Sequence, residues 1–185
     1  ELVVNELKGS DVGPSAVIGF PYGAMSTKSK LFELQEMVDI GCTACDMVIN
    51  IGAMKDGNYD LVRHEISEFV RICGDKCETK LIFEVGFLTD EEIALLTKMS
   101  CELGVTYVKT ATGSQAFPTD RQVKIMRDNL SGNTKIKVSG VPRTFTLAAE
   151  LHMFEHLGVS LSGTRSAGKL VEQYKEFLEE LEQNK

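Results

Sequence analysis

Apolar and polar positions along the chain repeat one plan: a short run rich in β-branched residues, a polar turn, an amphipathic stretch at helical spacing, then a glycine. Strand-like runs fall at residues 16–20, 44–50, 80–85, 106–110, 135–139 and 159–163, and helical patterns at 27–40, 59–73, 90–103, 120–130, 145–157 and 167–182. Leu31, Leu34, Met37 and Val38, and again Ile93, Leu96, Met99 and Leu103, recur at helical spacing and predict apolar stripes laid against a sheet. Thr89-Asp90-Glu91-Glu92 and Thr119-Asp120-Arg121-Gln122 read as capping boxes, and Gly41, Gly74, Gly104, Gly132 and Gly158 as helix stops. Leu2, Val3 and Leu7 read as the last turns of a helix ending near Gly9 or Gly13.

Strands that alternate with single helices must pair in parallel through crossovers, which predicts an α/β fold. The strand-to-strand spacing matches the unit of a (β/α)₈ barrel, of which about six units are present. A doubly wound sheet would show a Gly-x-Gly-x-x-Gly turn after its first strand, and Phe20-Pro21-Tyr22-Gly23 is not one.

Strand alternation then singles out charges. Asp46, Val48 and Asn50 share a face; so do Ile82 and Glu84, Tyr107 and Lys109, and Lys135, Lys137 and Ser139. Each charge alone fits a solvated position, and Glu84 with Lys137 fits a structural ion pair. A parallel sheet covered on both faces leaves little solvated surface for four of them. Lysines on adjacent strands, ~4.8 Å apart, disfavour each other's protonation, and burial acts in the same direction. A neutral amine is what Schiff-base catalysis needs, and Asp46 is a carboxylate able to relay protons.

Composition narrows the classes. The 185 residues, 43% hydrophobic, suit one domain with its own core, and the net charge of −7 without a basic block gives no footprint for nucleic acid. No apolar run reaches the length of a membrane span, and no secretory leader pattern opens the chain, so the expected setting is the cytoplasm. Five cysteines, an odd number in a chain of this size, fit reduced thiols. The Cys42/Cys45 and Cys73/Cys77 spacings read as packing rather than zinc ligation, and His152 and His156 as surface residues.

At its candidate residues the chain resembles deoxyribose-phosphate aldolase, a class I, Schiff-base aldolase family on a (β/α)₈ barrel. The resemblance runs from end to end and is carried by Val17-Ile18-Gly19-Phe20-Pro21-Tyr22-Gly23, Asp46-Met47-Val48-Ile49-Asn50-Ile51-Gly52-Ala53, Tyr107-Val108-Lys109-Thr110-Ala111-Thr112-Gly113, and Lys135-Ile136-Lys137-Val138-Ser139-Gly140 with Arg143-Thr144. It implies Lys109 as the imine-forming lysine, Lys137 as the lysine that perturbs it and Asp46 as the proton relay. It implies reversible cleavage of 2-deoxyribose 5-phosphate to acetaldehyde and glyceraldehyde 3-phosphate, without metal or cofactor. Substrate and phosphate would then be held by Gly113, Ser139, Gly140, Arg143, Gly163, Thr164, Arg165 and Ser166.

Against the family pattern, Val141-Pro142 follows Gly140 where a second glycine is usual, and Ser114 replaces a residue that is lysine in some members. Arg165 stands where a small hydroxyl residue is usual; it can grip phosphate bidentately, point to solvent or shift substrate preference. A related class I aldolase with a different substrate, phosphorylated or not, and a catalytically impaired barrel remnant are the alternatives. The chain opens on Glu1, and the family's first two strand–helix units have no counterpart in it. The expectation is a single barrel domain over 1–185, N-terminally incomplete, its gap filled by further chain or by a second copy in a homo-oligomer, a dimer foremost.

Overall fold

The computed structural model describes residues 1–114, 117–140 and 146–183. Helix α1 (Leu2–Glu6) leads into strand β1 (Ser15–Ile18) and α2 (Thr27–Ile40). There follow β2 (Ala44–Val48), α3 (Ile51–Lys55), α4 (Tyr59–Cys73), β3 (Glu78–Ile82) and α5 (Asp90–Glu102). The last elements are β4 (Tyr107–Lys109), α6 (Asp120–Asp128), β5 (Lys135–Ser139), α7 (Leu147–His156), β6 (Val159–Gly163) and α8 (Ala167–Gln183). All six strands pair in parallel in chain order, and among the described residues β1 and β6 each have one strand neighbour. The fold is that of a (β/α) barrel, open between β1 and β6.

The boundaries follow local chemistry. Thr89 and Thr119 cap α5 and α6 in full capping boxes, each hydroxyl accepting from the N–H three residues on. Gly41 ends α2 in the left-handed region, where a missing Cβ costs nothing. Strand β1 ends at Ile18, sooner than its apolar run suggests, because Gly19 turns at φ +68° and Gly23 then packs under the Ile49 carbonyl, where any Cβ would collide. Helix α3 is too short to show a period in sequence; Asn50 starts it by accepting from the Ala53 N–H. The expected start of α7 at Phe145 lies outside the described residues.

Alternation divides the sheet into two environments. Met47, Leu81, Val108, Ile136 and Val138 face outward and form the core with Leu34, Val62, Ile66, Phe69, Ile93, Leu96 and Met126 from the helices. Burying each such side chain stabilises the fold by about 1.5–3 kcal/mol. The inward face of the same strands mixes apolar residues such as Val48 and Ile82 with polar ones: Asp46, Lys80, Lys109 and Ser139 are all buried. A separate buried pair, Lys30 to Glu65 at 2.6 Å, ties α2 to α4 and is completed by Thr27 Oγ1 and the Val48 carbonyl.

Candidate active site

Lys109 and Lys137 are register partners on β4 and β5, so their side chains leave the sheet side by side. Asp46 lies two strands from β4 and one residue pair lower: it is in register with Lys80, while Lys109 is in register with Ile82. That step is the reach of a lysine side chain. Lys109 Nζ donates to Asp46 Oδ2 at 2.6 Å, and Lys137 Nζ donates to the same oxygen at 2.8 Å. The other oxygen, Oδ1, has Lys80 Nζ at 3.7 Å and accepts from Ser15 Oγ at 3.4 Å. One buried carboxylate thus gathers three lysines from β3, β4 and β5.

Burial is the largest influence on Lys109 and pushes its ammonium below the ordinary lysine range; Asp46 opposes this, and the like charges of Lys137 and Lys80 add to it. Burial also resists charge on Asp46, but Lys109 and Lys137 together outweigh it and hold the carboxyl below the usual carboxylate range. The site therefore places an amine whose proton is loosely held beside an acceptor that stays ionised.

Lys109 and Lys137 open into a pocket of about 780 Å³. Thr112, Gly113, Phe117, Ser139, Gly140, Gly163, Thr164, Arg165 and Ser166 form its remaining wall. Gly113 and Gly140, at φ +83° and +80°, pass so close that a Cβ on Gly140 would come within 3.2 Å of Gly113 and 3.0 Å of Ala111. Ser139 braces this contact: its hydroxyl donates to the Ala111 carbonyl, while its N–H donates to Thr110 Oγ1 at 3.1 Å. Ser166 immediately precedes α8, so the positive end of a 17-residue helix opens at the pocket, which suits an anion.

The structure brings together every sequence-predicted site residue except Arg143, which lies outside the described residues. Asp46 lies behind the two lysines, and Arg165 is exposed at the rim. Glu84 does not pair with Lys137. It sits past the end of β3 at φ +54° and accepts from the Thr112 N–H. Lys80 and Ser15 escaped the sequence reading; Lys80 shares the parity of Ile82, which was the available signal.

The cysteine and histidine signals occupy packed and surface positions. All five cysteines are free thiols, and burial with neighbouring Cys45 pushes the Cys77 thiol up to about 12. His152 pairs at the surface with Asp120 at 3.0 Å. Among the described residues no three His, Cys, Asp or Glu side chains are placed to hold a metal ion, and no helix is long and apolar enough to cross a membrane.

No family model matches the chain. Among curated proteins it is 39% identical over 175 residues to the deoxyribose-phosphate aldolase of Clostridium tetani (strain Massachusetts / E88), a match covering 94% of this chain and 80% of that one. It is 41% identical over 145 residues to the deoxyribose-phosphate aldolase of Bacillus cereus (strain B4264), covering 78% of this chain and 65%, a little under two thirds, of the relative. Among solved structures, the tetrameric deoxyribose phosphate aldolase from Aeropyrum pernix superposes with a TM-score of 0.83 at 25% identity, over 95% of this chain and 74% of that one. Barrel strands presenting a lysine pair to one carboxylate define an aldolase-type (β/α) barrel. The chain belongs to the deoxyribose-phosphate aldolase family, a family of aldehyde-lyases.

Proposed function

We propose that the chain catalyses reversible aldol cleavage of 2-deoxy-D-ribose 5-phosphate to acetaldehyde and D-glyceraldehyde 3-phosphate through a Schiff base on Lys109. The observation that carries this reading is the convergence of Lys109 and Lys137 on Asp46 Oδ2 at the floor of an anion-suited pocket.

The unprotonated Lys109 amine adds to the C1 aldehyde, and loss of water gives the iminium. A base removes the proton of the C3 hydroxyl, the C2–C3 bond breaks, and its electron pair flows into the iminium to give an enamine. Glyceraldehyde 3-phosphate leaves; protonation of the enamine carbon and hydrolysis release acetaldehyde and the free lysine. Asp46, already the acceptor for both ammonium groups, moves these protons through water, and Lys137 keeps Lys109 from holding its own proton tightly. The phosphate is received by the amides at Gly113, Gly140 and Gly163, by Thr164 and Ser166 and by the N-terminus of α8, with Ser139 bracing the turns.

The proposal includes Arg143 and Arg165 as phosphate contacts, a cytoplasmic setting in keeping with the free thiols, and a homo-oligomer, with a dimer as the simplest form. A second reading, Schiff-base cleavage of a different aldehyde, is favoured by Arg165 at the pocket rim. Comparing kcat/KM for 2-deoxyribose 5-phosphate and unphosphorylated deoxyribose separates the two. A preference of about a hundredfold or more for the phosphorylated sugar supports the first. Equal rates would overturn it in favour of the second.

A further inference from the structure

Glu84 is fully buried, has a left-handed backbone at φ +54° that a non-glycine residue adopts at a cost, and uses one carboxylate oxygen only. Oε2 accepts from the Thr112 N–H at 3.0 Å, while Oε1 is buried with no hydrogen-bond partner among the described residues. A buried acceptor left half satisfied destabilises a fold. Such a residue persists where its surroundings over-determine it, and here they do so around the pocket wall. Beyond the strands, Phe83 N–H donates to the Lys109 carbonyl at 2.9 Å and Val85 N–H to the Thr110 carbonyl at 3.0 Å. The left-handed turn at Glu84 lets its neighbours make both bonds while its own side chain swings beneath the next turn to reach Thr112. Gln122 Nε2 donates to the Val85 carbonyl at 2.9 Å and fixes the far side. Three successive residues of one segment thus fasten the three-residue step that joins Lys109 to the glycine turn.

We propose that Glu84 is a positioning residue: its carboxylate sets the Thr112–Gly113 turn against Gly140, and so determines how tightly the pocket holds the phosphate end of its substrate. The inference rests on the aldolase reading above. Among the described residues Glu84 makes no hydrogen bond or ion pair with the lysines and does not line the pocket, so its effect falls on substrate affinity rather than on imine chemistry.

Glu84→Gln keeps an oxygen acceptor for Thr112 and removes the charge; Glu84→Ala removes both. If Glu84→Ala does not fold, Glu84→Gly takes away the same carboxylate at a residue that adopts this φ freely. Two readouts are measured on wild type and variants: hydrogen exchange of the Thr112 amide, and KM and kcat for phosphorylated and unphosphorylated deoxyribose. The expected result is exchange at Thr112 about tenfold faster, and KM for the phosphorylated sugar about tenfold higher, in the truncated variant, with kcat and the unphosphorylated reaction little changed and Glu84→Gln close to wild type. Unchanged exchange, or an equal KM rise for both sugars, overturns the proposal. Wild-type protein that cleaves neither sugar contradicts the aldolase reading instead, and the exchange arm then still decides whether Glu84 holds Thr112.

Discussion

Lys109 and Lys137 face each other in register across two adjacent strands, and both donate a hydrogen bond to the same oxygen of Asp46. Two like charges share one oxygen of a buried counter-charge. Removing any one of the three therefore changes the other two, and the direction of each change can be stated.

Replacing Lys137 with Met removes a like charge from beside Lys109 and leaves Asp46 Oδ2 to Lys109 alone. Both changes raise the Lys109 pKa toward the ordinary lysine range. Less amine is unprotonated near neutrality, so the limb of the kcat/KM profile that reports Lys109 moves to higher pH, and the rate at pH 7 falls about tenfold or further. A pH–rate profile of the variant checks this.

Asp46→Asn leaves the ammonium groups of Lys80, Lys109 and Lys137 gathered without their shared carboxylate. The expected destabilisation is about 3–5 kcal/mol by denaturant titration at pH 7. Because the folded-state pKa of Asp46 lies below its unfolded value, the wild-type advantage is fully present above about pH 4 and is lost as pH falls through the folded pKa. The two unfolding free energies should converge in acid.

Gly140→Ala asks a residue with φ +80° to carry a Cβ within 3.0–3.2 Å of Ala111 and Gly113. Strain and overpacking together should cost about 1–3 kcal/mol of stability and raise KM for the phosphorylated sugar. Gly132→Ala, at φ +63°, carries similar backbone strain but has open space around its added methyl, so it should cost stability and leave KM unchanged. Thermal unfolding and steady-state kinetics on both variants test the contrast.

Outside the pocket lining, the Lys30–Glu65 pair is buried on both sides. Lys30→Met should cost about 3–5 kcal/mol by stranding a buried carboxylate, and Lys30→Met with Glu65→Leu should recover much of it, as measured by urea unfolding. Activity per folded molecule should be unchanged in both.

Much of the fold was legible because each unit states its own boundaries. The capping boxes at Thr89 and Thr119 and the stops at Gly41 and Gly104 mark the helices, and strand parity alone put Asp46, Lys109 and Lys137 on one face. Parity failed at Glu84. The apolar run continues to Val85, but the strand ends at Ile82, and a left-handed residue two positions on no longer obeys alternation. Nothing in the residue type announces that turn, because glutamate rarely makes it. Lys80 was missed for another reason: at the sequence level a lysine near a strand start reads as a solvated entrance, and only the register with Asp46 brings its ammonium inward. Helix α3 and the close contact of Gly113 with Gly140 depend on how chain segments meet, which no local pattern encodes.

The central claim is that Lys109 forms the imine. The chain is incubated with acetaldehyde, reduced with borohydride and mapped by peptide mass. One ethyl group is expected, on Lys109, absent from Lys109→Ala and reduced in Lys137→Met at neutral pH. An adduct on Lys137 or Lys80, or one that survives Lys109→Ala, would contradict it.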